Sequence, residues 1–213
     1  MSAPEMHPSR LQPAERSSRS RWLVAATLSL LVIVLAHLAD PWAWANLQDA
    51  RVYERDWGRL LRILGFLPTW IVVGLALWAH DRGSTGWRWR GGLMVLVPAA
   101  AGGAAEILKL VFRRLRPGET SPDYVFRPFM EDMWSNRGMG LPSSHVMVAM
   151  GAAVALAQLF PRTRWLWYAM AAGCGYTRVL ARAHYVSDVV VAGFVAWFVG
   201  DAIMRWGLNK RAR

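Results

Sequence analysis

Apolar residues in this chain come in long runs separated by short charged connections. The runs extend from Trp22 to Ala39, Leu60 to Ala79, Gly91 to Phe112, Ser143 to Phe160, Trp165 to Tyr176 with a further turn, and Val186 to Met204. A helix of roughly 20 apolar residues crosses the hydrocarbon core of a bilayer. The pattern therefore predicts an all-α, polytopic membrane protein with six transmembrane helices in a bundle. The fifth run is short and would need interfacial tryptophans or local thinning to span. Pro68 and Pro98 fall inside runs and are expected to kink their helices without preventing insertion. Residues 1–20, rich in Pro, Ser and Arg, read as a disordered cytoplasmic tail, which leaves residues 21–213 for the membrane domain. A cleavable signal peptide competes for the first run, but His37 fits a small-residue cleavage position poorly, and an uncleaved first span is expected.

Composition supports this reading. Of 213 residues, 54% are hydrophobic, and many of the thirteen tryptophans, such as Trp22, Trp42, Trp57, Trp134, Trp165 and Trp206, stand near run ends as an interfacial belt would. The net charge of +11 is divided among the connections instead of forming one basic surface, which argues against nucleic acid as a partner. Cys174 is the only cysteine, so an intramolecular disulfide and a cysteine metal cluster are excluded. Arg10, Arg16, Arg19 and Arg21, then Arg82, Arg88 and Arg90, then Arg162 and Arg164, and finally Arg205, Lys210, Arg211 and Arg213 fall on one side of the predicted layout. They place both termini inside.

Two connections are long. That from Asp40 to Arg59 opens on Asp-Pro, as a helix cap and first-turn proline would, and mixes aromatic with charged residues as an interfacial helix does. The other, from Arg113 to Leu141, carries Tyr124, Phe126, Phe129, Met130, Met133 and Trp134, placed either to cover a headgroup or to anchor in the interface.

Three fragments bring candidate chemistry to the side opposite the termini. Lys109 and Arg116 are two helical turns apart before Pro117, with Arg113 on the same stripe and Glu106 placed to orient Lys109. Pro142-Ser143-Ser144-His145 opens the fourth run, where free amides at a helix start point toward an anion. In the third fragment His184 precedes Asp188 by one turn, which lets the carboxylate orient one imidazole nitrogen and leave the other free, while Arg178 can fork two phosphate oxygens. Arg182 faces elsewhere, and His7, His37 and His80 are assigned no chemistry. No carboxylates and histidines are spaced as a dinuclear metal site, and no cofactor is expected. Three cations and helix-start amides would neutralise a phosphoryl group without one.

Lys109 with Arg116-Pro117, Pro142-Ser143-Ser144-His145, and Thr177-Arg178 with His184 and Asp188 resemble, in order and inner spacing, the three-part signature of the type 2 phosphatidic acid phosphatase (PAP2) superfamily. The signature occupies residues 100–200. Ser144 stands where that family usually has glycine, and Thr177 where it usually has serine. The resemblance implies that His184 forms a phosphohistidine, Asp188 orients it and His145 protonates the leaving oxygen. It also implies that Lys109, Arg116, Ser143, Ser144 and Arg178 hold the phosphoryl oxygens.

The expected function is that of an integral membrane lipid phosphatase in a bacterial-type cytoplasmic membrane, with its site on the periplasmic or extracellular face and the bilayer and a lipid phosphate as partners. Family substrates are undecaprenyl diphosphate, to which the reading leans, phosphatidic acid, phosphatidylglycerophosphate and lipid A phosphates. A phosphotransferase using the same intermediate and a non-catalytic lipid-phosphate binder are the alternatives. Soluble vanadate-binding haloperoxidases of the superfamily are disfavoured by the spans. Oligomeric state is not legible.

Overall fold

The computed structural model describes residues 12–83, 87–118 and 121–211. Within them the chain is helical: α1 (Gln12–Asn46), α2 (Asp56–Ile63), α3 (Leu67–His80), α4 (Trp87–Phe112), α5 (Ser144–Leu159), α6 (Arg164–Leu180) and α7 (Val186–Arg211), with a 3-10 turn at Pro161–Thr163. Three helices are long and apolar enough to cross a membrane, at Ala26–Asn46, Arg88–Phe112 and Val186–Leu208. A fourth crossing is possible if α2 and α3, bent by 69° relative to each other, count as one. Helix α5 is apolar but shorter.

Three expectations are revised. Helix α1 starts at Gln12, so residues 12–20 of the expected tail are helical, with Pro13 tolerated in the first turn; residues 1–11, with Arg10 and His7, lie outside the described residues, as does Arg213. At its other end α1 continues through Pro41 to Asn46, so Asp40 does not cap a helix. The run from Leu60 to Ala79 is not one helix but breaks at Leu64–Phe66, and Pro68 opens α3 instead of kinking it, since a proline lacking an N–H is best placed in a first turn.

Helix α5 is the axis of the bundle and packs on α4, α6 and α7. It is buried from Val146 to Ala157, Met150 excepted, because Ala149, Gly151, Ala152, Ala153 and Ala155 let neighbouring backbones approach closely. Around it, Trp70, Leu93, Met94, Val97, Val154, Leu156 and Met204 fill the end nearer the termini. Ala101, Ala105, Val146, Met147, Ala192 and Ala196 fill the layer beneath the polar cluster at the other end. The terminal end is tied by Arg90–Asp81 at 3.0 Å and Gln158–Asp201 at 3.1 Å. Exposed Trp42, Trp57 and Trp134 lie toward one end and Trp165 and Trp206 toward the other, as belts require.

At the polar end the C-termini of α1, α4 and α6 meet the N-termini of α5 and α7. The connection from Arg113 to Leu141 is folded over this end. Arg113 leaves α4 in the left-handed conformation, φ 55°, and isolated antiparallel bridges pair Arg114 with Phe126 and Leu115 with Met139. The buried Arg113 guanidinium donates to the carbonyls of Arg127 (3.1 Å), Pro128 (2.9 Å) and Glu131. It is therefore a staple for the loop and not a headgroup contact. Phe129, Met130, Met133 and Trp134 are exposed on the loop's outer surface, Trp134 by 86%, and are not closed over the cluster.

Candidate active site

Helix α4 ends at Phe112, before the second of the two turns expected to align Lys109 with Arg116. The next residues leave the helix because Arg114 and Leu115 pair with the loop, so Arg116 does not continue the helical stripe of Lys109. Lys109 remains on the helix, buried, with Glu106 Oε1 at 3.1 Å, as its spacing predicts. Ser144 Oγ donates to the same carboxylate oxygen at 2.5 Å and also contacts Lys109 Nζ, while Asn136 donates to Glu106 Oε2. The side chain that Ser144 adds is thus turned to Glu106, which leaves its backbone amide at the helix start.

His184, in the connection before α7, is buried. Its Nδ1 lies 2.9 Å from the Gly140 carbonyl and 3.5 Å from Asp188 Oδ2. A carbonyl oxygen only accepts, so Nδ1 carries the proton and Nε2 the lone pair. The spacing of His184 and Asp188 correctly brings them together, but the nearer acceptor is a backbone carbonyl that no motif marks. Gly140 is required here: a Cβ on it would stand 2.9 Å from Asp188 Oδ2 and 3.2 Å from the Leu115 carbonyl. Burial lowers the proton affinity of His184; Asp188 opposes this, and the positive charges of Arg178 and Arg116 add to it. The ring is neutral at neutral pH.

Asp188 is held from behind by a group that sequence reasoning missed. Arg114, 2% exposed, donates from Nε to Asp188 Oδ1 at 3.1 Å and from Nη2 to the same oxygen and to Ser187 Oγ at 2.8 Å. The Tyr185 amide donates to Asp188 Oδ2 at 2.9 Å. Asp40 on α1 accepts from the Ser187 amide at 3.0 Å, from Ser187 Oγ, and from Tyr124 Oη at 2.7 Å. The Arg114 guanidinium lies 4.7 Å from the Tyr124 ring and 5.2 Å from the Tyr185 ring, and the two rings pack edge to face at 5.0 Å. Burial and the Asp40 carboxylate push the Tyr124 phenol up to about 12, so it stays a donor. His37, assigned no chemistry from sequence, belongs to this cluster through Nε2, 3.4 Å from Arg114 Nη1, while its Nδ1 is 2.8 Å from the Ile33 carbonyl.

The other flank is formed by Ser143, Arg178 and Arg116. Ser143 is the N-cap of α5, and its amide is 3.3 Å from the Asp188 carbonyl. Arg178 donates from Nη1 to Tyr53 Oη at 2.9 Å. Ser143 Oγ and Arg178 Nε are both buried without a hydrogen-bond partner among the described residues. Leaving such donors unsatisfied costs about 1–3 kcal/mol each, a cost that an anion's oxygens would offset. Arg116 is exposed, and its charge bears on Arg178 and Asp188. His145, half-buried on the first turn of α5, feels the charges of Arg178, Arg62 and Lys109 and the His184 ring. Thr177, in place of the usual serine, donates its hydroxyl to the Cys174 carbonyl at 2.8 Å. Arg182 turns away, stacking 4.5 Å over Trp44.

The assembly joins a directed neutral imidazole, a second imidazole, four cationic side chains and donors without a partner among the described residues. Such a set suits transfer of a phosphoryl group at the end of a membrane helical bundle. The PAP2 superfamily matches residues 90–212, and the chain belongs to it. Two relatives are named lipid A 1-phosphatase. That of Rhizobium johnstonii is 34% identical over 111 residues, 52% of this chain and 45% of that protein, so this match spans less than half of its length. That of Rhizobium etli is 33% identical over 195 residues, 84% of this chain and 82% of that protein. No solved structure matches. The chain is a membrane lipid phosphatase.

Proposed function

We infer that this phosphatase hydrolyses a lipid phosphomonoester or diphosphate through a phosphohistidine at His184, without a metal. His184 Nε2 attacks phosphorus and forms the N–P bond. The bond from phosphorus to the lipid oxygen breaks, and that oxygen takes a proton from His145. Water then attacks the phosphohistidine, giving its proton to His145 and releasing inorganic phosphate and neutral His184. Lys109, Arg116, Ser143, the Ser144 amide and Arg178 hold the equatorial oxygens, and Asp188 orients the nucleophile. The observation that carries this reading is the fixed His184: its Nδ1–H is 2.9 Å from the Gly140 carbonyl, and its Nε2 lone pair is left for the reaction.

The substrate's chain is accommodated by a lateral apolar cavity of about 600 Å³. Val146 and Val189, each next in sequence to a proposed catalytic residue, line its upper end, and Met150, Phe194, Trp197 and Leu28 line it further down. The names of the relatives favour a lipid A-type 1-phosphate over the undecaprenyl diphosphate to which the motifs alone lean. We further propose six crossings, α2–α3 being one of them, with both termini in the cytoplasm and the site on the outer face of a bacterial inner membrane. The test is phosphate release by the purified full-length chain, in chelator, from lipid A, phosphatidic acid, phosphatidylglycerophosphate and undecaprenyl diphosphate. Release from lipid A at the 1-position is expected. Release that stops with chelator and returns with a divalent metal, or no release from any lipid, would overturn the mechanism.

A further inference from the structure

Helix α2 is amphipathic and lies where α6 ends. Its outward apolar residues Trp57, Leu60 and Ile63, with Phe66 just beyond, are exposed, as expected of a helix lying in the bilayer interface. Two of the basic residues about this helix are paired: Arg55 with Asp49 at 3.1 Å, and Arg59 with Asp56 at 2.5 Å. Arg62 is different. Among the described residues it forms no ion pair, and its Cζ lies 4.6 Å over the Tyr53 ring. Tyr53 Oη in turn accepts from Arg178 Nη1 at 2.9 Å and donates to the Thr177 carbonyl at 3.2 Å. Arg62 is therefore stacked on the tyrosine that braces a phosphate-binding arginine.

The turn that follows Arg62 is seated against His145 through Gly65. The Arg62 carbonyl accepts the Gly65 amide at 3.0 Å, and a Cβ on Gly65 would stand 2.6 Å from His145 Cβ and 2.8 Å from its Cα. The charge of Arg62 bears on His145, whereas the charges bearing most on His184 are those of Asp188, Arg178 and Arg116. Arg62 thus belongs to the side where the leaving oxygen must be protonated. A guanidinium stacked by its face keeps its N–H edge free to fork two oxygens.

We propose that Arg62, held over Tyr53, is a second anion-binding position that receives a negative phosphate on the leaving group, so that this enzyme favours lipid diphosphates over the corresponding monophosphates. The proposal rests on the reading of His184 as nucleophile and His145 as leaving-group acid. With a diphosphate, His184 bonds to the terminal phosphorus and the bridging P–O bond breaks. The bridging oxygen keeps the electron pair and takes the proton from His145, and a lipid monophosphate departs with its remaining charge beside Arg62. With a monophosphate the leaving group is a neutral hydroxyl, which gives Arg62 nothing to bind.

The experiment compares the full-length chain with Arg62→Gln and Arg62→Lys on two matched pairs: a prenyl diphosphate and monophosphate, and a glycolipid 1-diphosphate and 1-monophosphate. In the wild type, kcat/KM should be higher for the diphosphate of at least one pair. Arg62→Gln should lower that value about 10- to 100-fold, change the monophosphate value less than about threefold, and be partly rescued by lysine. The pair that responds tells whether the lipid is prenyl or glycosyl. An equal fall on both members of each pair, or no change on either, overturns the proposal and leaves Arg62 an interfacial anchor. A wild type that releases phosphate from none of the four instead removes the reading beneath it.

Discussion

The two flanks of the site differ in how their polar atoms are satisfied. Behind His184, Asp188, Arg114, Ser187, Asp40 and Tyr124 are bonded to one another, and Asp188 is 0% exposed. On the facing side Ser143 Oγ and Arg178 Nε are buried with no hydrogen-bond partner among the described residues. The first flank is complete before any substrate arrives and fixes one atom, His184 Nε2, in one direction. The second retains donors that the oxygens of a bound anion can satisfy. Positioning and binding are thus assigned to different residues, and the two kinds should respond oppositely when stability and activity are measured together.

The largest effect expected is that of His184→Ala, which should abolish phosphate release by the purified protein. Residual turnover above background would show that another group attacks. His145→Ala should follow, with a loss on the order of 10² to 10⁴ in kcat, the usual contribution of a general acid; a leaving group of low pKa should recover much of it.

Arg114→Gln tests the saturated flank. Removing one partner of a buried ion pair typically costs about 3–5 kcal/mol, so thermal unfolding should move down markedly, and activity should fall with KM little changed. The pH profile is the more specific readout. In the wild type the acid limb of kcat/KM should lie below the ordinary histidine value of about 6.5, because burial lowers the proton affinity of His184 and the neutral ring persists to lower pH. Without Arg114, Asp188 acts on His184 unneutralised, the imidazolium gains stability, and the limb should move to higher pH. An unmoved limb would reduce Arg114 to packing.

Ser143→Ala tests the other flank and should have the smallest effect on rate. One hydrogen bond to a charged phosphoryl group is lost, worth on the order of tenfold in kcat/KM. Unfolding should be unchanged or occur at a higher temperature, since a buried unpartnered hydroxyl is removed. If Ser143→Ala destabilises as Arg114→Gln does, the distinction between the flanks fails.

Much of this was legible in the chain. The apolar runs gave the helical segments, and the spacing of His184 and Asp188 gave their pairing, because a turn of helix is a local constraint. The arrangement around Arg114 was not, for the stripe from Lys109 to Arg116 assumes that α4 continues, whereas tertiary bridges to Phe126 and Met139 pull the chain out at Arg113. Asp40 is a cap by local rules and a partner of Ser187 by tertiary contact. Gly140 contributes through its carbonyl and its lack of a Cβ, neither of which a motif of functional side chains reveals. The break between α2 and α3 was not legible, since Pro68 reads locally only as a kink inside one span and the seat of Gly65 against His145 is a tertiary contact.

The central claim is that His184 carries the phosphoryl group during turnover. Rapid quenching of the working enzyme in alkali, where phosphohistidine survives, followed by mass spectrometry of its peptides, should find phosphate on the peptide bearing His184 and none on that peptide in His184→Ala. Phosphate release proceeding with His184 unmodified, or with the label on His145, would contradict it.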